Sequence, residues 1–189
     1  MSLPIGSYAV GKHGFFFRDG DTITIPASGS SAGASSRTNK PDPTDPLYLD
    51  VGAIADWDDS GFKSMGDEKI YKPMPGRMQL YDIIEKGAEG MFKFTTEDIS
   101  ALAMEVFFRT SQKLTSAGGV YNPLSAPPRK GWFHMEHYDQ NNAFMLNLDV
   151  YVMLRIVGGM ASKEGSVIKP QWEANVLYSS FNVGLINNS

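Results

Sequence analysis

The chain has 189 residues, 42% hydrophobic and 20% charged, which suits one globular domain with a sizeable core. Its net charge of -4 at pH 7 excludes a strongly basic surface that grips nucleic acid through clustered lysine and arginine. It contains no cysteine, which excludes disulfide frameworks, thiolate metal sites and cysteine nucleophiles. Met1 to Val10 lack a basic region followed by an apolar run, so no signal peptide is expected. No apolar stretch is long enough for a membrane-spanning helix, and folding in the cytoplasm is the expectation.

Gly14 to Arg18 reads as a strand, Asp19-Gly20-Asp21 as a turn and Thr22 to Ile25 as the returning strand of a hairpin. Pro26 to Pro46 is rich in Ser, Gly and Pro, a composition that suits a flexible loop or an arm ordered by a neighbouring subunit. The core sequence then occupies 47–189. Leu47, Leu49 and Val51 alternate, and the run continues through Gly52 to Ile54 and Trp57, with Gly52 suited to a bulge. Asp56, Asp58, Asp59, Asp67 and Glu68 read as solvated loop carboxylates, since their spacing lacks the ligand pattern of a calcium loop. Arg77 to Ile84 and Met91 to Thr95 read as strands. A helix over about 96–109 follows, with Ile99, Leu102, Ala103, Val106 and Phe107 on one stripe. Thr95 with Asp98 forms a loose capping box, and Arg109 and Lys113 lie near the helix end.

Beyond Gly118-Gly119 the chain reads as a meander. Gly131 to Tyr138 is a strand, Asp139 to Asn142 a turn, and Ala143 to Val157 a long strand. A second turn spans Gly158 to Gly165. Ser166 to Phe181 is the last strand, with Ile168, Pro170, Trp172, Ala174, Val176 and Tyr178 on one face. The clearest signal is the unbroken alternation of Phe144, Leu146, Leu148, Val150, Val152, Leu154 and Ile156, which assigns one sheet face to the core. Between them lie Met145, Asn147, Asp149, Tyr151, Met153 and Arg155, a largely wettable set. Burying the seven apolar side chains is worth roughly 10–20 kcal/mol gross, and a one-residue slip exposes all of them. The expected fold is mainly β, a β-sandwich or partly closed barrel of antiparallel strands with one flanking helix.

Chemistry is sparse. On a strand, His134 and Glu136 share one side and His137 takes the other, so the run cannot chelate as a unit and reads as a polar face. There is no Gly-x-Ser-x-Gly elbow and no P-loop. With three histidines, catalysis would rest on a carboxylate pair that spacing does not place together, so the chain reads as a non-enzyme without metal or cofactor. Trp132, Tyr138, Trp172 and Tyr178 suit either core packing or a sugar-stacking platform, and the latter gives a carbohydrate-binding sandwich as the rival reading. Met74, Met78, Met91 and Met104 read as gap fillers.

Three pieces resemble phage tail tube proteins. The first is Leu47 to Trp57, with its Gly and acidic-aromatic ending; the second is Met91 to Ser100 running into Ala101 to Phe108; the third is the C-terminal pair of long strands. The resemblance implies a single tail-tube-like domain over 1–189, a virion protein assembled in the host cytoplasm. Such proteins form rings, commonly hexameric, which stack into a tube carrying DNA. The implied partners are further copies, the tape-measure protein, other tail proteins and passing DNA, with no membrane. Asn147, Asp149, Tyr151 and Arg155 become candidate lumen-facing residues, polar without gripping phosphate. Other virion roles, such as decoration, neck or baseplate-hub protein, are the nearest alternatives.

Overall fold

The computed structural model describes residues 11–52, 54–64, 68–84, 88–97, 99–114, 122–138, 141, 143–157 and 169–186. In chain order the strands are β1 (Gly11–Arg18), β2 (Thr22–Ile23), β3 (Gly33–Ala34), β4 (Leu49–Asp50), β5 (Ile54–Ser64), β6 (Glu68–Met74), β7 (Arg77–Ile84) and β8 (Ala88–Thr96). Helix α1 (Ala101–Phe108) follows, then β9 (Arg129–Tyr138), β10 (Phe144–Ile156), β11 (Gln171–Val176) and β12 (Val183–Ile186). Among the described residues the protein is mainly β with one helix, as expected from its sequence.

An antiparallel sheet runs in the order β4-β1-β9-β10-β11-β8-β5, curled into a half-barrel. One flank of β10 is shared, with Leu146–Asp149 pairing to β12 and Val152–Ile156 pairing to β11. The two ends of the sheet meet at Gly14. A Cβ there would lie 2.8 Å from Val51 Cγ2 and 3.1 Å from Ile54 Cδ1, so the missing side chain lets the curl close.

Period-two burial drives this architecture. Phe16, Phe92, Phe94, Phe133, Val150, Val152, Leu154, Trp172 and Ala174 line the inner face, and α1 adds Leu102, Ala103 and Val106 to the same core. Leu148 and Ile156 pack against it, while Phe144 and Leu146 are half-buried at the strand's far end.

Several boundaries differ from those read in the sequence. The helix begins at Ala101 with Ser100 as N-cap, its Oγ accepting from the Ala103 amide. Thr95 and Thr96 belong to β8, where pairing on both sides overrides helix-start chemistry, and Thr96 Oγ1 accepts from Trp172 Nε1 at 3.1 Å. Ile99 is exposed, outside the buried stripe. Thr22–Ile23 pairs with β3 instead of returning along β1, whose neighbours are β9 and β4. Asp56, Asp58 and Asp59 lie in β5, not in a loop, and Glu68 opens β6. The last predicted strand, Ser166 to Phe181, is shorter than expected, and β12 lies beyond it. β11 stops at Val176, Tyr178 is exposed, and the chain returns as β12. Asp67, Asp98, Ile168, the turn Gly158 to Gly165 and, apart from Asn141, the turn Asp139 to Asn142 lie outside the described residues.

Candidate assembly surfaces

The outer face of β9 and β10 is not open along its length. Asp149 is 4% and Tyr151 3% exposed, so neither faces solvent or a channel; Asn147 is half-buried and Arg155 exposed. The cause is a cover formed by residues 19–48 and by the turn after β11. Trp132 Nε1 donates to the Ser36 carbonyl at 3.0 Å, and Ser179 Oγ donates to the Arg37 carbonyl at 2.6 Å. Phe17, Ile23, Trp132 and Tyr151 form a second core beneath this cover, flanked by Tyr48, Leu177 and Phe181. The Arg37 guanidinium sits 6.0 Å above the Tyr151 ring. The cover holds its own shape, because the Asp45 carboxylate accepts from the amides of Thr24, Ile25 and Leu47. The Pro26–Pro46 segment is therefore folded onto its own sheet and is neither a flexible loop nor a free arm. Composition could not reveal this, since the holding contacts come from residues about a hundred positions away.

A charged cluster pins the cover. His134 and Asp149 are direct cross-strand partners, with Nδ1 2.7 Å from Asp149 Oδ1 and Nε2 3.1 Å from Glu136 Oε1. Lys40 reaches down from the cover to place Nζ 3.0 Å from Asp149 Oδ2, and Tyr138 donates to Glu136 at 2.6 Å. A ring with a carboxylate at each nitrogen is an imidazolium donating twice. Burial opposes that charge, but the hydrogen bonds and charges of Asp149 and Glu136 outweigh it and raise the His134 pKa above its ordinary value. Burial likewise works against the Asp149 carboxylate, yet His134 and Lys40 hold its pKa below the usual range. Burial, with the negative charge of Asp149 near by, pushes the Tyr48 phenol far above its ordinary value; its hydroxyl is buried without a hydrogen-bond partner. Among the described residues no group of acidic and histidine side chains could hold a metal. Its chemistry is that of a staple between cover and sheet.

A second buried staple ties the helix to the sheet. Glu105 is fully buried and accepts from Arg18 Nε at 3.0 Å and Nη2 at 2.7 Å. Arg129 Nε lies 2.8 Å from Glu105 Oε1, within ion-pair distance but outside hydrogen-bond angle. Trp132 and Trp172 are both wholly buried and offer no face to a sugar, whereas Tyr138 is half-buried and Tyr178 exposed.

Among the described residues, two exposed surfaces bear on assembly. The first is the outer face across the end of β10, β11 and β8. The registers place Arg155 beside Glu173, and Glu173 beside Lys93, with Gln171 and Thr95 next along. It is polar and nearly balanced in charge.

The second open surface is the β6–β7 hairpin, whose strands pair only with each other among the described residues. Both of its faces are exposed. Of the fourteen exposed large hydrophobic residues among the described ones, seven lie here: Tyr71, Met74, Met78, Leu80, Tyr81, Ile83 and Ile84. Met74 and Met78 are thus surface residues and do not fill gaps. Sequence reading placed β7 but missed β6; Pro75-Gly76 between Glu68–Met74 and Arg77–Ile84 was the available turn signal. No protein-family model matches the chain, and no curated protein matches it.

Proposed function

We propose that this protein is a structural subunit that self-assembles, of the tail tube kind, its copies forming stacked rings in a phage virion through which DNA passes. The observation that carries this reading is the hairpin. A lone two-stranded hairpin is marginal in water, and this one exposes seven large apolar side chains on its two faces. Monomeric proteins rarely keep so concentrated an apolar surface, and other copies of the chain are the partner that a tube requires. A second support is the open polar face carrying Lys93, Arg155, Gln171 and Glu173, which suits a wall past which DNA slides because it does not concentrate positive charge. In this reading the lining moves away from Asp149 and Tyr151 and keeps Arg155. Tape-measure and other tail proteins are the further partners.

The test is size against concentration. Light scattering and negative-stain microscopy of the concentrated protein are expected to show rings or tubes. A monomer at every concentration overturns the proposal.

A further inference from the structure

Among the described residues, Lys40 and Asp149 form the one lysine–carboxylate ion pair in which both side chains are buried, with Nζ 3.0 Å from Asp149 Oδ2. The side chains of Lys113 and Lys169, which also reach carboxylates, are at least half exposed. The buried Arg18–Glu105 pair is inert as a nucleophile, because a guanidinium does not give up its proton. The surroundings of Lys40 and Asp149 are aromatic. Lys40 Nζ sits 5.7 Å from the centroid of the wholly buried Trp132 ring, and the Phe15 and Tyr48 rings each lie 6.3 Å from the ring of His134. His134 Nδ1 holds the other carboxylate oxygen, Asp149 Oδ1, at 2.7 Å, while Glu136 supports the imidazolium at Nε2.

We propose that Lys40 and Asp149 condense into an isopeptide bond that ties the cover covalently to β10. The ion pair is the state from which the freshly folded chain starts. Burial penalises two charges more than two neutral groups, so Nζ passes a proton to Oδ2 and becomes a nucleophilic amine. The amine attacks Asp149 Cγ, one bond beyond Oδ2. Negative charge then develops on Oδ1, where His134 already donates. Nζ gives a second proton to Oδ2, the Cγ–Oδ2 bond breaks, and Oδ2 leaves as water. An Nζ–Cγ amide replaces one ammonium and one carboxylate. No oxidant, cofactor or net proton is needed, and Oδ1 stays on His134 as the amide oxygen. The fold supplies the driving proximity, since it holds both partners in contact and away from water. The product closes a loop between positions 40 and 149, so the cover no longer lifts from β9 and β10. This goes beyond the assembly reading and stands whether or not the chain forms rings.

The experiment is intact-mass spectrometry of the full chain, with K40R beside it; arginine keeps the charge but cannot condense. The folded wild type is expected to lose the mass of one water with time. Peptide mapping is expected to find one branched product joining the peptides that hold Lys40 and Asp149. K40R, and wild type kept in denaturant, are expected to retain their full sequence mass. H134Q is expected to condense at least tenfold more slowly. A folded wild type that keeps its full mass overturns the proposal. So does a water loss that persists in K40R or maps to a cyclic imide at Asp19-Gly20. If K40R is misfolded by circular dichroism, the branched peptide from the wild type alone decides the question. If H134Q condenses as fast as the wild type, the part given to His134 is wrong.

Discussion

Asp149→Ala removes the acceptor shared by His134 and Lys40, at 2.7 and 3.0 Å, from a site where Asp149 is 4% exposed. Lys40 is itself 6% exposed and loses its ion-pair partner in the cluster. Removing one member of a buried charge set strands the others, at a cost of about 3–5 kcal/mol. With a urea m-value of roughly 2 kcal/mol/M, the midpoint should fall by about 1.5–2.5 M at unchanged m. Urea unfolding at pH 6, followed by Trp fluorescence, measures this directly, because Trp132 lies under the same cover. Arg155→Ala, on the open part of the same strand, is the control and should change stability by under about 0.5 kcal/mol. An Asp149 facing a wetted channel would cost no more than about 1 kcal/mol to remove. A loss that small would refute the covered-face reasoning.

The staple also sets a pH dependence. His134 has its folded pKa raised above 6.5, so its contribution is full below 6.5 and fades as pH rises through the folded value. Asp149 has its folded pKa lowered below 3.8, so its contribution is present above 3.8 and fades as pH falls through the folded value. Together they contribute most between about pH 4 and 6.5, and His134→Gln should remove the decline on the alkaline side in a series of melts against pH. Gly131→Ala should destabilise by at least about 1–3 kcal/mol, because a Cβ would fall 2.0 Å from the Phe17 carbonyl oxygen and force β1 from β9; thermal melting reads this as a lower Tm. Glu105→Ala leaves two arginine side chains facing an emptied buried site and should cost about 3–5 kcal/mol by urea unfolding. Ser100→Ala removes the helix N-cap and should cost about 1 kcal/mol in the same assay.

What the sequence made legible was local. The alternation from Phe144 to Ile156 placed β10 to within a residue at each end, and it assigned Val150, Val152 and Leu154 to the core. Period-two patterning says which side is apolar; it does not say whether the other side is wet. Tyr151 and Asp149 were hidden by Arg37 and Lys40, residues of a segment whose Ser, Gly and Pro composition points to looseness. The helix start was misplaced because Thr95 and Thr96 carry helix-entry chemistry, while two neighbouring strands claim them for β8. Trp132 and Trp172 followed the ordinary expectation of core aromatics, each with its indole N–H satisfied.

The divided flank of β10 leaves a seam at Tyr151, where β12 has ended and β11 has not begun. Asn182 stitches it, accepting from the Tyr151 amide at 2.8 Å and donating to the Leu177 carbonyl at 2.9 Å, while the Leu177 amide reaches the Tyr151 carbonyl. On this flank the longest strand is therefore held by two different partners. Those amide protons of Leu146 to Asp149 that point to β12 are expected to exchange when that four-residue strand lifts, whereas those that point to β9, and from Val152 onward to β11, exchange only when the main sheet opens.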